Sequence, residues 1–154
     1  MDAALNEFSY LLKDNKVWRF RANQTSYFQL EKLSGRPLFK ALFPAPVKDP
    51  ETGEEAPDKK AQLLLLYAMT ASHRAQERIQ MRFTFDEERD YADNYRGPFF
   101  TDILPTGAVN HLLDQAALAV RADFGFAEQY LDEALDALND EDDEGNDQAP
   151  QSQE

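Results

Sequence analysis

The chain has 154 residues, no cysteine and a formal net charge of -13 at pH 7. That length fits one domain plus a tail, and the missing thiols exclude a disulfide framework and a thiolate metal centre. The charge is unevenly distributed: all 16 Lys and Arg lie at or before Arg121, while residues 122–154 carry 12 acids and no base. Residues 1–121 are therefore close to neutral, at -1, and within them residues 13–48 hold eight bases against Asp14 and Glu31, a local net of +6.

The opening segment, MDAALNEFSY, has no basic stretch followed by an apolar run, so no secretory signal is expected. Asp2 can cap a first helix whose apolar face is Leu5, Phe8, Leu11 and Leu12, ended by Asn15. Residues 16–22 alternate, with Trp18, Phe20 and Ala22 on one side and Val17, Arg19 and Arg21 on the other, which is the period of a strand. Asn23-Gln24-Thr25 reads as a turn, with residues 26–32 as the returning strand of a hairpin. Ser34-Gly35-Arg36-Pro37 reads as a second turn.

Residues 44–58 contain four prolines, Gly53 and five acids, and are expected to form an exposed mobile loop. Asp58 can cap a helix opening at Lys59. That helix is apolar nearly all round over residues 63–69, so it is expected in the core or in a subunit interface. The apolar run is far short of the about 20 residues a bilayer span needs, so no membrane segment is expected. Beyond His73 two periods compete. Arg74, Arg78 and Arg82 share a helical face, yet Ile79, Met81, Phe83 and Phe85 alternate with polar residues. The β-branched and aromatic content favours helix to about Ala75, then strand to about Phe85.

Residues 86–105 read as a long polar connection. Residues 108–120 form an amphipathic helix through Val109, Leu112, Leu113, Ala116, Ala117 and Val120, broken at Phe124-Gly125-Phe126. A second follows over residues 127–138, and from Asn139 the composition predicts disorder. The expected fold class is α+β: a small antiparallel sheet packed with several helices, not an OB-fold. Residues 1–139 are expected to form one α+β domain and residues 140–154 a disordered acidic tail.

Little points to catalysis. His73 and His111 are the only histidines and lie in no metal-binding spacing. No glycine-rich phosphate loop or nucleophile elbow is present. The acids over residues 86–93 could gather Mg²⁺, but Arg89 and Arg96 lie among them, and a solvated loop is the better reading. The chain is therefore expected to be non-enzymatic, with no cofactor and no metal.

One constellation has a mechanism. Cations that track phosphates, together with aromatic faces that stack bases, hold single-stranded nucleic acid. Arg19 and Arg21 share one strand face, and Arg78 and Arg82 would share another. In one sheet, the four guanidiniums would line a groove. Lys16, Lys32, Arg36 and Lys40 would extend it, and Tyr27 or Phe28 would stack. Aromatic residues such as Trp18, Phe39, Phe43 and Phe83 read as core. A tethered acidic tail would compete with a polyanionic ligand at high effective concentration.

On Lys16-Val17-Trp18-Arg19-Phe20-Arg21, the basic alternation over residues 78–84 and the acidic run over residues 140–144, the chain resembles the ssDNA-binding RNA polymerase cofactors (Drc) of lytic podoviruses that package a virion RNA polymerase. The resemblance implies binding to ssDNA at melted promoters and recruitment of the phage RNA polymerase, in the host cytoplasm. It carries over no individual residue. The expected function is thus ssDNA binding in aid of phage transcription or replication, with homo-oligomerisation left open. The alternative is an acidic protein-binding adaptor, such as a DNA mimic or an assembly chaperone.

Overall fold

The computed structural model describes residues 5–125. The architecture is α+β: a two-stranded antiparallel hairpin and a short ribbon, packed with helices. The segments read as a C-terminal helix over residues 127–138 and as a disordered tail over residues 140–154 lie outside the described residues, as does Asp2.

The hairpin pairs β1 (Glu7–Leu11) with β2 (Val17–Arg21), in a register that sets Glu7 opposite Arg21, Phe8 opposite Phe20 and Tyr10 opposite Trp18. The expected alternation in β2 holds. Trp18 and Phe20 are buried while Val17 and Arg19 are exposed. The expected first helix is instead β1. Its Phe8, Leu11 and Leu12 fit a helical face, but the backbone pairs with β2. Asn15 closes the three-residue turn in the left-handed region at φ 63, a conformation Asn tolerates better than most side chains.

The expected return strand over residues 26–32 is also a helix, α1 (Gln24–Ser34). Asn23 is its N-cap, accepting the Ser26 N–H at 3.0 Å, and Gly35 ends it at φ 68 with its N–H on the Glu31 carbonyl. The short helix α2 (Leu38–Leu42) follows the expected turn. The exposed loop over residues 44–58 carries a two-residue ribbon, β3 (Val47–Lys48) with β4 (Glu55–Ala56).

Asp58 caps α3 (Lys59–Met69) through the Ala61 N–H at 3.1 Å, as its position predicts. Leu66, Ala68 and Met69 of α3 are completely buried. α4 (Ala71–Gln76) continues from Thr70 and packs on β2. Arg74 binds α4 to its neighbours. Its Nε donates to Thr70 Oγ1 at 2.9 Å, its Nη2 donates to Gln29 and to the Tyr67 carbonyl, and its guanidinium lies 3.9 Å from the Tyr67 ring centroid.

The strand expected up to Phe85 does not form. Residues 79–85 are irregular, with one isolated bridge between Arg82 and Phe99. Ile79, Met81 and Phe83 still turn towards the core, which explains the alternation. The expected polar connection over residues 86–105 holds two helices, α5 (Glu87–Ala92) and α6 (Phe100–Ile103). Phe100 is a full core residue, edge-on to Trp18 and to Tyr67. A 3-10 turn (Thr106–Ala108) leads into α7, residues 109–125, which buries Val109, Leu112, Ala116, Ala119 and Val120. Of the helix break expected at Phe124-Gly125-Phe126, residues 124 and 125 are still helical and residue 126 lies outside the described residues.

Candidate nucleic-acid interface

The proposed cations fall on three separate places. Lys16 and Arg19 are exposed at and beside the hairpin turn, and neither forms an ion pair among the described residues. Arg21 shares their strand but is occupied: its Nη2 lies 2.7 Å from Glu7 Oε1 across the ladder.

Arg78 and Arg82 do not join Arg19 and Arg21 in a sheet, because no strand forms there. Arg78 is exposed just beyond α4, in the left-handed region at φ 55. Arg82 is a structural clamp. It pairs with the buried carboxylate of Asp90 and with Asp93 at 2.8 Å, and its guanidinium lies 4.6 Å from the Tyr95 ring centroid. The four-guanidinium groove is therefore not formed.

Tyr27 is not positioned to stack a base either. α1 buries Ser26, Tyr27 and Leu30. The Tyr27 ring is 2% exposed, and its hydroxyl donates to Asp123 Oδ2 at 2.8 Å. Burial, then the bond to the Asp123 carboxylate, raise its pKa well above the usual tyrosine value. The neighbouring Phe28 is 71% exposed. Phe28 and Lys32, four residues apart, share the outer face of α1.

α2, which packs on α1, has an exposed side of similar composition. It buries Ala41 and Leu42, which sends Phe39, Lys40 and Phe43 outward. The Phe39 and Phe43 rings lie near parallel, 6.5 Å apart, and both are about two-thirds exposed. Between the helices, Arg36 reaches Asp58 at 3.4 Å and keeps a side chain 44% exposed. Three of the expected cations, Lys32, Arg36 and Lys40, thus share the α1–α2 region with three exposed phenylalanines. Phe39 and Phe43 read as core from sequence. Their spacing of four in a short helix beside Ala41-Leu42 is the signal that separates the two faces.

Residues 123 and 124 of α7 lie against this region. Phe124 meets Phe39 and Tyr27 edge-on, with centroids 5.8 and 5.6 Å apart, and Asp123 holds the Tyr27 hydroxyl. Next to Phe43, a groove of about 550 Å³ runs between α2, the ribbon, α3 and α7, with a mostly apolar lining that includes Leu65, Leu113 and Val120.

His73 is buried on α4, its ring 5.0 Å from Trp18. Desolvation is the largest influence on it and lowers its pKa below the usual 6.5. Nearby Arg19 lowers it further, while Glu77 and Asp14 oppose. His111 is exposed, beside Tyr10. No cluster of potential metal ligands occurs among the described residues, and none of their helices is long and apolar enough to cross a membrane. Comparison with family models, curated proteins and solved structures yields no match for this chain.

Proposed function

We propose that this chain is a non-enzymatic single-stranded-DNA-binding protein, and that α1 and α2 form its principal contact surface. The observation that carries this reading is that two helices in contact, α1 and α2, expose phenylalanines together with cations: Phe28 with Lys32 on α1, and Phe39 and Phe43 with Lys40 on and beside α2. Exposed phenyl rings are costly in water unless they meet a partner. Bases offer apolar faces to the rings while the neighbouring cations meet the phosphates. Lys16 and Arg19 on the hairpin supply further phosphate contacts outside this region. In line with the resemblance, the biological setting proposed is phage transcription, with ssDNA held at a melted promoter and the phage RNA polymerase recruited, or replication. An acidic adaptor is the second reading, favoured by the net charge of -13.

The test is fluorescence anisotropy with labelled ssDNA, the matching duplex and RNA at low salt. Single strands are expected to bind more tightly than duplex, because a duplex hides its base faces. Phe28→Ala and Phe39→Ala should each weaken ssDNA binding by about 1–3 kcal/mol per lost stack. Equal affinity for single strand and duplex, unchanged in both variants, would sink the stacking surface. Absence of binding to any of the three nucleic acids would favour the adaptor.

A further inference from the structure

A second aromatic surface lies on and around α5, and it has a different chemistry. Four rings form a continuous ladder. Tyr91 meets Phe85 at 5.3 Å, Phe85 meets Phe99 at 5.7 Å, and Phe99 meets Tyr95 at 4.9 Å. The inner end of the ladder is occupied. There the Arg82 guanidinium sits over the Tyr95 ring and is paired with Asp90 and Asp93. The outer end is open, with Tyr91 71% and Phe85 46% exposed.

The outer end repeats the composition of the inner one. Glu87 and Glu88 precede Tyr91 by four and three residues, so all three project from one side of α5. Both carboxylates are exposed, and neither forms an ion pair among the described residues. The two ends thus share a composition of aromatic rings with two carboxylates: at the inner end a guanidinium joins them, and at the outer end Tyr91 shares its side of α5 with two carboxylates unpaired among the described residues. Cations are drawn to aromatic faces, arginine more often than lysine, and carboxylates add charge and hydrogen-bond acceptors. Nucleic acid does not suit this face, because Glu87 and Glu88 would oppose its phosphates.

We propose that the Phe85–Tyr91 face, with Glu87 and Glu88, docks an arginine side chain presented by a partner protein. Its occupant would repeat what Arg82 does at the other end of the same ladder. The proposal stands whether or not the α1–α2 surface binds DNA.

The test uses the full chain and short amidated peptides bearing two arginines, two lysines or two citrullines, followed residue by residue by NMR. The arginine peptide should shift the resonances of residues 85–91 saturably, the lysine peptide less so, and the neutral citrulline peptide not at all. Glu87→Gln with Glu88→Gln, and separately Tyr91→Leu, should each weaken that binding about three- to fivefold. All three positions are exposed, and the Gln pair preserves size, so the fold is expected to persist in both variants. ssDNA affinity should be unchanged in them. Shifts confined to the acidic residues beyond 125, or equal binding of arginine and citrulline peptides at residues 85–91, would overturn the proposal. So would an affinity at that face that neither variant alters.

Discussion

Tyr27 is 2% exposed and Phe28 71% exposed, although they are neighbours on one helix. Successive helical residues are rotated by about 100°, so one ring enters the core and the other leaves it. The same geometry turns Lys32 out with Phe28. This makes Lys32 and Lys40 better candidates for phosphate contacts than Arg21 or Arg82, whose guanidiniums are already paired with carboxylates. Each phosphate neutralised on a single strand contributes about -0.7 to the log–log salt slope. Replacing Lys32 and Lys40 together by Ala should therefore flatten that slope by about 1.4. Replacing Arg82 should leave the slope unchanged in any variant that folds. An unchanged slope in the double lysine variant would remove those two residues from the contact.

At the scale of elements, the contact between α4 and β2 is expected to weaken in acid. His73 stands against Trp18, and burial favours its neutral form. The folded protein therefore takes up this proton at lower pH than the unfolded chain does. The associated stability is complete above about pH 6.5 and is lost progressively as pH falls from there towards the folded pKa. Urea unfolding between pH 7.5 and 5.5 should show this decline, and His73→Gln should flatten it. An equally steep decline in the variant would assign the effect to other groups. Local signals make several elements legible in the sequence: the alternation of β2, the Asp58 cap of α3, and the apolar stripe of α7. β1 and α1 are exchanged in the sequence reading for a physical reason. Phe8, Leu11 and Leu12 fit a helical stripe, and residues 26–32 tolerate alternation, but strand pairing is a tertiary fact. Asn23 reads as a turn, whereas it serves as a helix cap. Over residues 79–85 the alternation is real, but no neighbouring strand completes a ladder. The cations Lys32, Arg36 and Lys40 are legible from local charge. That Arg21 and Arg82 are paired is not, since their partners lie 14, 8 and 11 residues away.

At the scale of the whole molecule, charge is segregated along the chain. Truncation after Asn139 removes seven acids and no base, taking the net charge from -13 to -6. No residue buried in the described core is lost, so the thermal midpoint should be nearly unchanged. Affinity for ssDNA should rise at low salt, because a tethered competitor is removed, and the gain should shrink as salt screens both contacts. Anisotropy titrations of full-length and truncated protein at several salt concentrations decide this. Weaker binding by the truncated chain at every salt concentration would overturn the competition.

The Tyr27–Asp123 hydrogen bond and the Phe124–Phe39 contact hold residues 123 and 124 of α7 beside α1 and α2. A fixed origin turns the sequence beyond it into a measuring tape. Asp140 is 15 residues past Gly125, so the acidic run begins no farther than about 54 Å from that origin, given a fully extended reach of at most roughly 3.6 Å per residue. On the proposed competition, the dose of negative charge felt at Lys32 and Lys40 should depend on spacer length as well as on the number of acids. Inserting Gly-Ser repeats at 139 should dilute that dose, so the gain in ssDNA affinity on removing the acids should shrink as the inserted spacer lengthens.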